Sequence, residues 1–380
     1  MRITYPLLIG SSILALGCSS SSAAPAANGA DASTDDGGQT VPDGAPEPET
    51  GVPVPVPDAG ADAADPSVVF VETAGIGDMQ IDATSLYWVA GGSRIMRMPL
   101  AGGAPVTLVS APQIAGASIG NIAVDASNVY WDEAQPTFGS AGGVFASALG
   151  DGGAVTMLAS VNSPGSLSLD GDSLYVDTMP TGDNTNGEID RVPTSGGAVS
   201  ALVRGVNAES VIVAVDGFVY LVVDQANFLQ NVFRVAGDAS AGPADAAVDA
   251  VEAGSLQPVS TNGRVSTLVL AHHADGHEVY WAVFDEVHSY PGDAGMQVDL
   301  GTVSDPLNPE SGGSIDALYP SSGDVFWYSQ GFGGPTGDLW KFPAGGNPRD
   351  HLAYTSGGPF VTNTASVYFA DGMRIRRVAR

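Results

Sequence analysis

Cysteine is almost absent from this chain, and basic residues are scarce. A single Cys18 excludes an intramolecular disulfide and any cysteine-based zinc site. Only 13 Lys and Arg stand against 42 Asp and Glu, giving a net charge of −29. An excess of this sign makes nucleic acid and anionic membrane faces poor partners. Long apolar runs are missing too. The apolar segment from Leu7 to Leu16 is too short to span a bilayer. No later stretch keeps a helical period over a dozen residues, which excludes a helix bundle. Stability must therefore come from burial in a large β domain, and about 310 residues suffice for that.

The N-terminus reads as an address and a tether. Arg2, the apolar stretch and Ala15-Leu16-Gly17-Cys18 resemble a bacterial lipoprotein signal. That resemblance implies cleavage before Cys18, residues 1–17 as signal peptide, and acylation of the thiol. An ordinary signal peptide with an incidental cysteine is the alternative. Ser19 after the acylated residue is compatible with sorting to the outer membrane. Residues 18–66 then hold no aromatic, no Lys and no Arg, but nine acids. Such a composition cannot bury enough apolar surface to fold. Val52-Pro53-Val54-Pro55-Val56-Pro57 is locally stiff. A coil of this length reaches roughly 40 Å, enough to hold a domain away from a membrane. With the tether's acids and Arg2 set aside, the rest of the chain carries a charge near −21.

Residues 67–380 repeat. Seven strand-like runs end in an aromatic pair or its near-equivalent, centred on Tyr87, Tyr130, Tyr175, Tyr220, Tyr280, Phe326 and Tyr368. Most copies lie 42 to 46 residues apart; the fourth interval is 60 because of an insertion at 237–255, read as a disordered surface loop. Four short strands per period of roughly 40–45 residues predict a propeller blade. The expected fold is all-β: a seven-bladed β-propeller of four-stranded antiparallel blades. The last copy stops one strand short, and Val68 to Val71 is a surplus strand. These residues are expected to pair with 375–378 and close the ring.

An Asp usually precedes the central aromatic by five residues (Asp82, Asp125, Asp170, Asp275), with Asp216 one place nearer and Ser321 and Asn363 in the last two copies. It is expected to cap its own hairpin turn. A recurrent base on the third strand (Arg97, Arg191, Arg234, Lys341, Arg377) is expected to pair with carboxylates of its own or a neighbouring blade. Repetition in every blade marks both as scaffold.

The connections after each aromatic pair vary most, so a binding surface is sought there. The candidates are Asp132, Glu133 and Phe138 in copy two, and Asp177, Asp183, Asn184 and Asn186 in copy three. Asp224 and Phe228 follow in copy four, Asp285 and Glu286 in copy five, and Phe332 in copy six. Ordinary solvated turns are the competing reading. Asp183 to Glu188 is oxygen-rich enough for calcium but lacks EF-hand spacing; otherwise no cofactor or metal is expected. His272 and His273 are adjacent on a strand, so they point to opposite faces and do not share a metal. Gly116-Ala117-Ser118-Ile119-Gly120 fits a nucleophile elbow by letters only, since no helix follows it.

The repeated Tyr-Trp, the later Ile-Asp-Arg-Val-Pro of 189–193 and the Gly-Gly turns resemble the YWTD-type propeller family and its bacterial lipoprotein relatives. Tyr-Trp is followed here by Val89-Ala90, Asp132-Glu133 or Ala282-Val283 rather than Thr-Asp, and there are seven copies where six are familiar. The resemblance implies ligand or protein binding on the disc face without catalysis. The expectation is thus a lipid-anchored, monomeric envelope protein that binds an unidentified protein or small ligand. A calcium-dependent lactonase-like enzyme with a metal in the central channel is the alternative, and a purely structural scaffold is another.

Overall fold

In the computed structural model, the described residues are 66–380, apart from 138, 151–152, 180–186, 207, 226–228, 239–255, 260–267, 273–277, 284–285, 291–297, 303–313, 322–323, 331–336 and 344–349. They form seven four-stranded antiparallel sheets. Sheet 1 holds β2 (Ile76–Ile81), β3 (Ser85–Ala90), β4 (Arg94–Pro99) and β5 (Val106–Val109). Sheet 2 holds β6 (Ser118–Val124), β7 (Asn128–Ala134), β8 (Ala141–Ala148) and β9 (Thr156–Asn162). Sheet 3 holds β10 (Leu167–Asp170), β11 (Ser173–Thr178), β12 (Gly187–Pro193) and β13 (Ser200–Val206). Sheet 4 holds β14 (Ala208–Val215), β15 (Phe218–Gln225), β16 (Leu229–Ala236) and β17 (Gln257–Pro258). Sheet 5 holds β18 (Leu268–His272), β19 (Val279–Val283), β20 (Glu286–Tyr290) and β21 (Val298–Thr302). Sheet 6 holds β22 (Ser314–Ser321), β23 (Asp324–Gln330), β24 (Gly337–Pro343) and β25 (Asp350–Thr355). Sheet 7 takes β26 (Phe360–Thr362), β27 (Ser366–Asp371) and β28 (Arg374–Ala379) from the C-terminus and β1 (Val68–Glu72) from the other end.

The aromatic pairs explain the packing. They sit on the second strand of each sheet, where β3 and β11 are buried at every position. Strands covered on both faces read as continuous apolar runs rather than alternating ones. Trp88, Trp131, Trp281 and Trp327 are among the largest fully buried side chains. Each removes roughly 150–250 Å² from water, about 4–6 kcal/mol at the usual apolar coefficient. A buried apolar cluster lies between each pair of consecutive sheets, and another joins sheet 7 to sheet 1 through Tyr368, Ile375, Trp88 and Met98.

The surplus strand pairs as expected. Val68 faces Arg377, Val69 faces Arg376, and Val71 and Glu72 face Ile375 and Arg374. Phe70 meets Tyr368 edge-on at 5.0 Å, and the Arg377 guanidinium lies over the Phe70 ring. Just past the end of β28, Arg380 reaches sheet 6. Its Nε and Nη2 donate to Asp324 Oδ2 at 3.1 and 2.9 Å, and its guanidinium covers Phe326. The insertion at 237–255 falls between β16 and β17, and residues 239–255 lie outside the described residues.

The repeated Asp caps its hairpin in sheets 1 and 2. Asp82 Oδ1 accepts the amides of Thr84 and Ser85 at 2.6 and 2.7 Å, while Oδ2 accepts Tyr87 Oη at 2.6 Å. Asp125 treats Ser127, Asn128 and Tyr130 the same way, and Asn363 accepts the amides of Ala365 and Ser366. Asp170 departs from the pattern: Gly171 makes its turn at φ 58°, and Asp170 Oδ2 accepts Gly217 N of the next sheet. Asp275 lies outside the described residues. Partial burial raises the Asp82 carboxyl, but the bonds from Tyr87, Thr84 and Ser85 outweigh it and hold the group below its usual range. That contribution is present above the unfolded-state value and lost as pH falls through the folded one. Asp82→Ala is therefore expected to cost about 1–2 kcal/mol at neutral pH in denaturant titration, and less below pH ~4.

The recurrent base behaves as expected in two sheets. Lys341 pairs with Asp350 at 3.4 Å, and Arg191 lies 4.0 Å from Asp172. Among the described residues, Arg97 and Arg234 pair with no carboxylate. Arg97 donates to Ser85 Oγ and, across the junction, to Leu149 O, while Arg234 lies over Phe218 and Tyr290. Hydroxyls, carbonyls and ring faces are what the neighbouring strands present at those positions, and a guanidinium accepts all three.

Candidate functional site

The structure moves the sought-after acids from loops onto strands. β7 continues past its aromatic pair to Ala134, with Asp132 opposite Val144 and Glu133 opposite Gly143. β11 likewise carries Asp177 opposite Ile189, and β15 carries Asp224 opposite Gln230. Asp132, Glu133 and Asp177 are all buried. Neither an exposed binding loop nor a solvated turn describes these three, because the ladder runs on past each aromatic pair. Gly142 makes this possible in sheet 2, since a Cβ there would strike the Glu133 carbonyl and the Pro164 ring. Glu286 opens β20, opposite Val283. Phe138, Asp183, Asn184, Asn186, Phe228, Asp285, Phe332 and Cys18 lie outside the described residues.

Glu133 is a structural acid. Both of its carboxylate oxygens accept Gln113 N at 2.8 Å, Oε2 also accepts Ile114 N, and Oε1 accepts Trp131 Nε1 at 2.9 Å. It holds the link between sheets 1 and 2 against the aromatic pair of its own strand.

Asp132 belongs to a different group, which gathers at one end of the innermost strands. The inner strand bulges there in several sheets, for example between Ile76 and Met79 and between Ile119 and Ile122. A bulge re-aims a side chain and frees backbone amides. The residue just before the resumed ladder is Asp78 in sheet 1, Asn121 in sheet 2 and Ser166 in sheet 3. Counted as the residue before the partner of the one that follows the central aromatic, this position reads Val211, Val269, Ala317 and Pro359 in sheets 4 to 7, while the bulge of sheet 6 encloses Asp316. Two places beyond the central aromatic, Asp132 and Asp177 stand where other sheets have Val89, Val222, Ala282, Tyr328 or Ala370. At these two positions the polar side chains fall in three consecutive sheets.

Each side chain of this set ties one sheet to the next. Asp78 Oδ2 accepts Ile122 N at 2.9 Å, and its Oδ1 accepts Met79 N at 2.8 Å. Asn121 donates N and Nδ2 to Asp132 Oδ2 at 3.1 and 2.8 Å, and Nδ2 also donates to Gly165 O. Ser166 Oγ accepts Ile212 N at 3.4 Å. Gly120 leaves room for the Asp132 carboxyl, where any Cβ would collide with Oδ1. That glycine also ends the Gly116-to-Gly120 string; Ser118 opens strand β6, so the string is no nucleophile elbow.

Burial pushes the Asp78 carboxyl up to about 6, against the opposing pull of the Ile122 and Met79 amides. Burial also pushes Asp132 up to about 7; the bonds from Asn121 lower it, and the charges of Asp78 and Glu133 raise it further. Among the described residues, no group of three or more His, Cys, Asp or Glu is placed to share a metal. Asp78 and Asn121 escaped the sequence reading because neither neighbours the aromatic pair. Aligning the seven copies nine residues before it would have exposed Asp, Asn and Ser in the first three.

No protein-family profile and no curated sequence matches the chain. Its fold is similar to solved structures at low identity. The β-propeller domain of the Trilobed protease from Pyrococcus furiosus, which has an open velcro topology, is 11% identical with a TM-score of 0.53, covering 81% of this chain and 95% of that one. A chain of the mitotic checkpoint complex is 9% identical with a TM-score of 0.54, covering 90% and 98%. The computationally designed Ika8 protein is 11% identical with a TM-score of 0.51, covering 82% and 99%. Identities this low speak to fold alone.

Proposed function

We propose that this chain is a cell-envelope binding module, held by acylated Cys18 and its acidic tether, that presents the inner rim of sheets 1 to 3 to a protein or small ligand. The carrying observation is asymmetry. A scaffold repeats the same side chains in every sheet, yet Asp78, Asn121 and Ser166 stand in sheets 1 to 3 at the register position that Val211, Val269, Ala317 and Pro359 fill in sheets 4 to 7. All three remain partly open to solvent. The N-terminal signal, with its cysteine and 48-residue linker, supports an extracytoplasmic, membrane-held position, in the outer membrane by the Ser19 criterion. A calcium-assisted hydrolase is the second reading, favoured by the meeting of Asp78, Asn121 and Asp132. Two carboxyls and an amide are a short donor set for calcium, which takes six to eight oxygens.

Affinity capture with the mature chain tests the first reading. Wild type is run beside an Asn121→Ala/Ser166→Ala variant whose circular dichroism is unchanged. A partner held by wild type and lost by the variant is expected; equal retention would overturn the reading. Cys18→Ala in the same cells is expected to move the protein from the membrane to the soluble fraction. Stoichiometric calcium in the purified chain would favour the hydrolase.

A further inference from the structure

Two carboxyls from neighbouring sheets are joined by a single dipeptide. Ile122 N donates to Asp78 and Asn121 N donates to Asp132, so residues 121 and 122 stand between the two acids. The Asn121 side chain then carries the link on to Gly165 in sheet 3. The charge around this junction is of one sign. Glu133 follows Asp132 on β7, and Asp177 sits at the equivalent place on β11. β3, β6 and β8, which pack around the pair, carry no charged residue, and Asp170 lies at the far end of β10. No Lys, Arg or His forms an ion pair with Asp78 or Asp132 among the described residues. Asp132 is buried and Asp78 half-buried; two ionised carboxylates bonded to adjacent amides, with no cation paired to either, repel each other.

We propose that this junction is a proton-operated latch: a proton kept on the Asp78–Asp132 pair holds the inner strands of sheets 1 to 3 together, and its loss to water loosens the rim at Gly120–Asn121 and Gly165–Ser166. Burial supports the same direction, having raised both acids above their ordinary range. A raised carboxyl contributes stability that is complete at low pH and is lost as pH rises through the folded value. Here that loss falls between pH ~4 and ~7, in steps belonging to the pair rather than to either residue. Such a latch operates whether or not a ligand docks on the same rim.

The test is denaturant unfolding of the full chain at pH 5 and pH 8, with hydrogen exchange read at the rim amides. Between those pH values, the unfolding equilibrium constant of wild type is expected to rise about 100-fold from Asp132 alone. Asp132→Asn should remove most of that rise. Rim amides in wild type should exchange faster at pH 8 than base catalysis alone accounts for, relative to those of β15. If Asp132→Asn does not fold, Asp78→Asn serves, with a smaller expected loss of slope. Infrared spectra of wild type should also show a protonated-carboxyl band at pH 5 that fades by pH 8. A variant slope equal to that of wild type, rim exchange that tracks β15, or no such band would overturn the latch.

Discussion

A chain lacking residues 66–72 is expected to lose about 5 kcal/mol or more of stability, on the scale of a domain's whole reserve. Deletion removes the β1 ladder against β28, the Phe70–Tyr368 contact and the Arg376 bond to Ser67 O. Ladder bonds contribute about 1 kcal/mol each, and loss of a part-buried aromatic costs a further ~2–3 kcal/mol. Phe70 and Val71 also pack against the cluster that includes Trp88 and Met98, so the junction of sheets 7 and 1 opens to water. The bared edge of β28 should make the truncated chain aggregate. A synthetic peptide of residues 66–73 should restore part of the melting temperature by adding the strand in trans. An unchanged denaturation midpoint, or no response to peptide, would mean that β1 contributes nothing to sheet 7 or its packing on sheet 1.

The second large effect is expected at Glu133. Replacing it by Ala strands the amides of Gln113 and Ile114, on a more open link, and the indole N–H of Trp131, which is buried with the carboxyl itself. An orphaned buried donor costs about 1–3 kcal/mol, so the sum is ~3–5 kcal/mol together with the cavity. Glu133→Gln keeps the shape and one acceptor oxygen but turns an NH₂ toward donors; about half the loss is expected. Equilibrium unfolding of the three proteins checks the order wild type, Gln, Ala. A loss under about 1 kcal/mol for Ala would show that water takes over the carboxyl's role.

The seven sheets were legible because one physical requirement recurs in each. A strand enclosed by neighbouring sheets needs apolar residues on both faces, and the aromatic pairs mark it at a fixed period. The N-terminal strand was legible through an imbalance: one copy short of a strand, one strand without a copy. The site was less so. Glu133 looked like a loop acid because its partners are backbone amides twenty positions earlier, which no side-chain pattern betrays. Asp78 and Asn121 carry no local signal either; they matter because a bulge turns them toward the next sheet. The base series was read as carboxylate pairing, whereas Arg97, Arg234 and Arg377 meet hydroxyl, carbonyl or ring partners. Residue type set the charge of those positions, and tertiary neighbours chose the partner.

The pairing of β1 with β28 also sets an order of assembly. Six sheets are built from strands consecutive in the chain, so each can form as its own segment emerges from the ribosome. The seventh cannot. Ser67 and Arg376, which bond across it, are 309 positions apart. Val68 to Val71, made early, must wait unpaired until the last residues are synthesised, and closing so long a loop is slow. A valine-rich strand left waiting invites pairing with other chains. The acids of residues 58–65 before it and Glu72 at its own end are the charges that oppose such pairing.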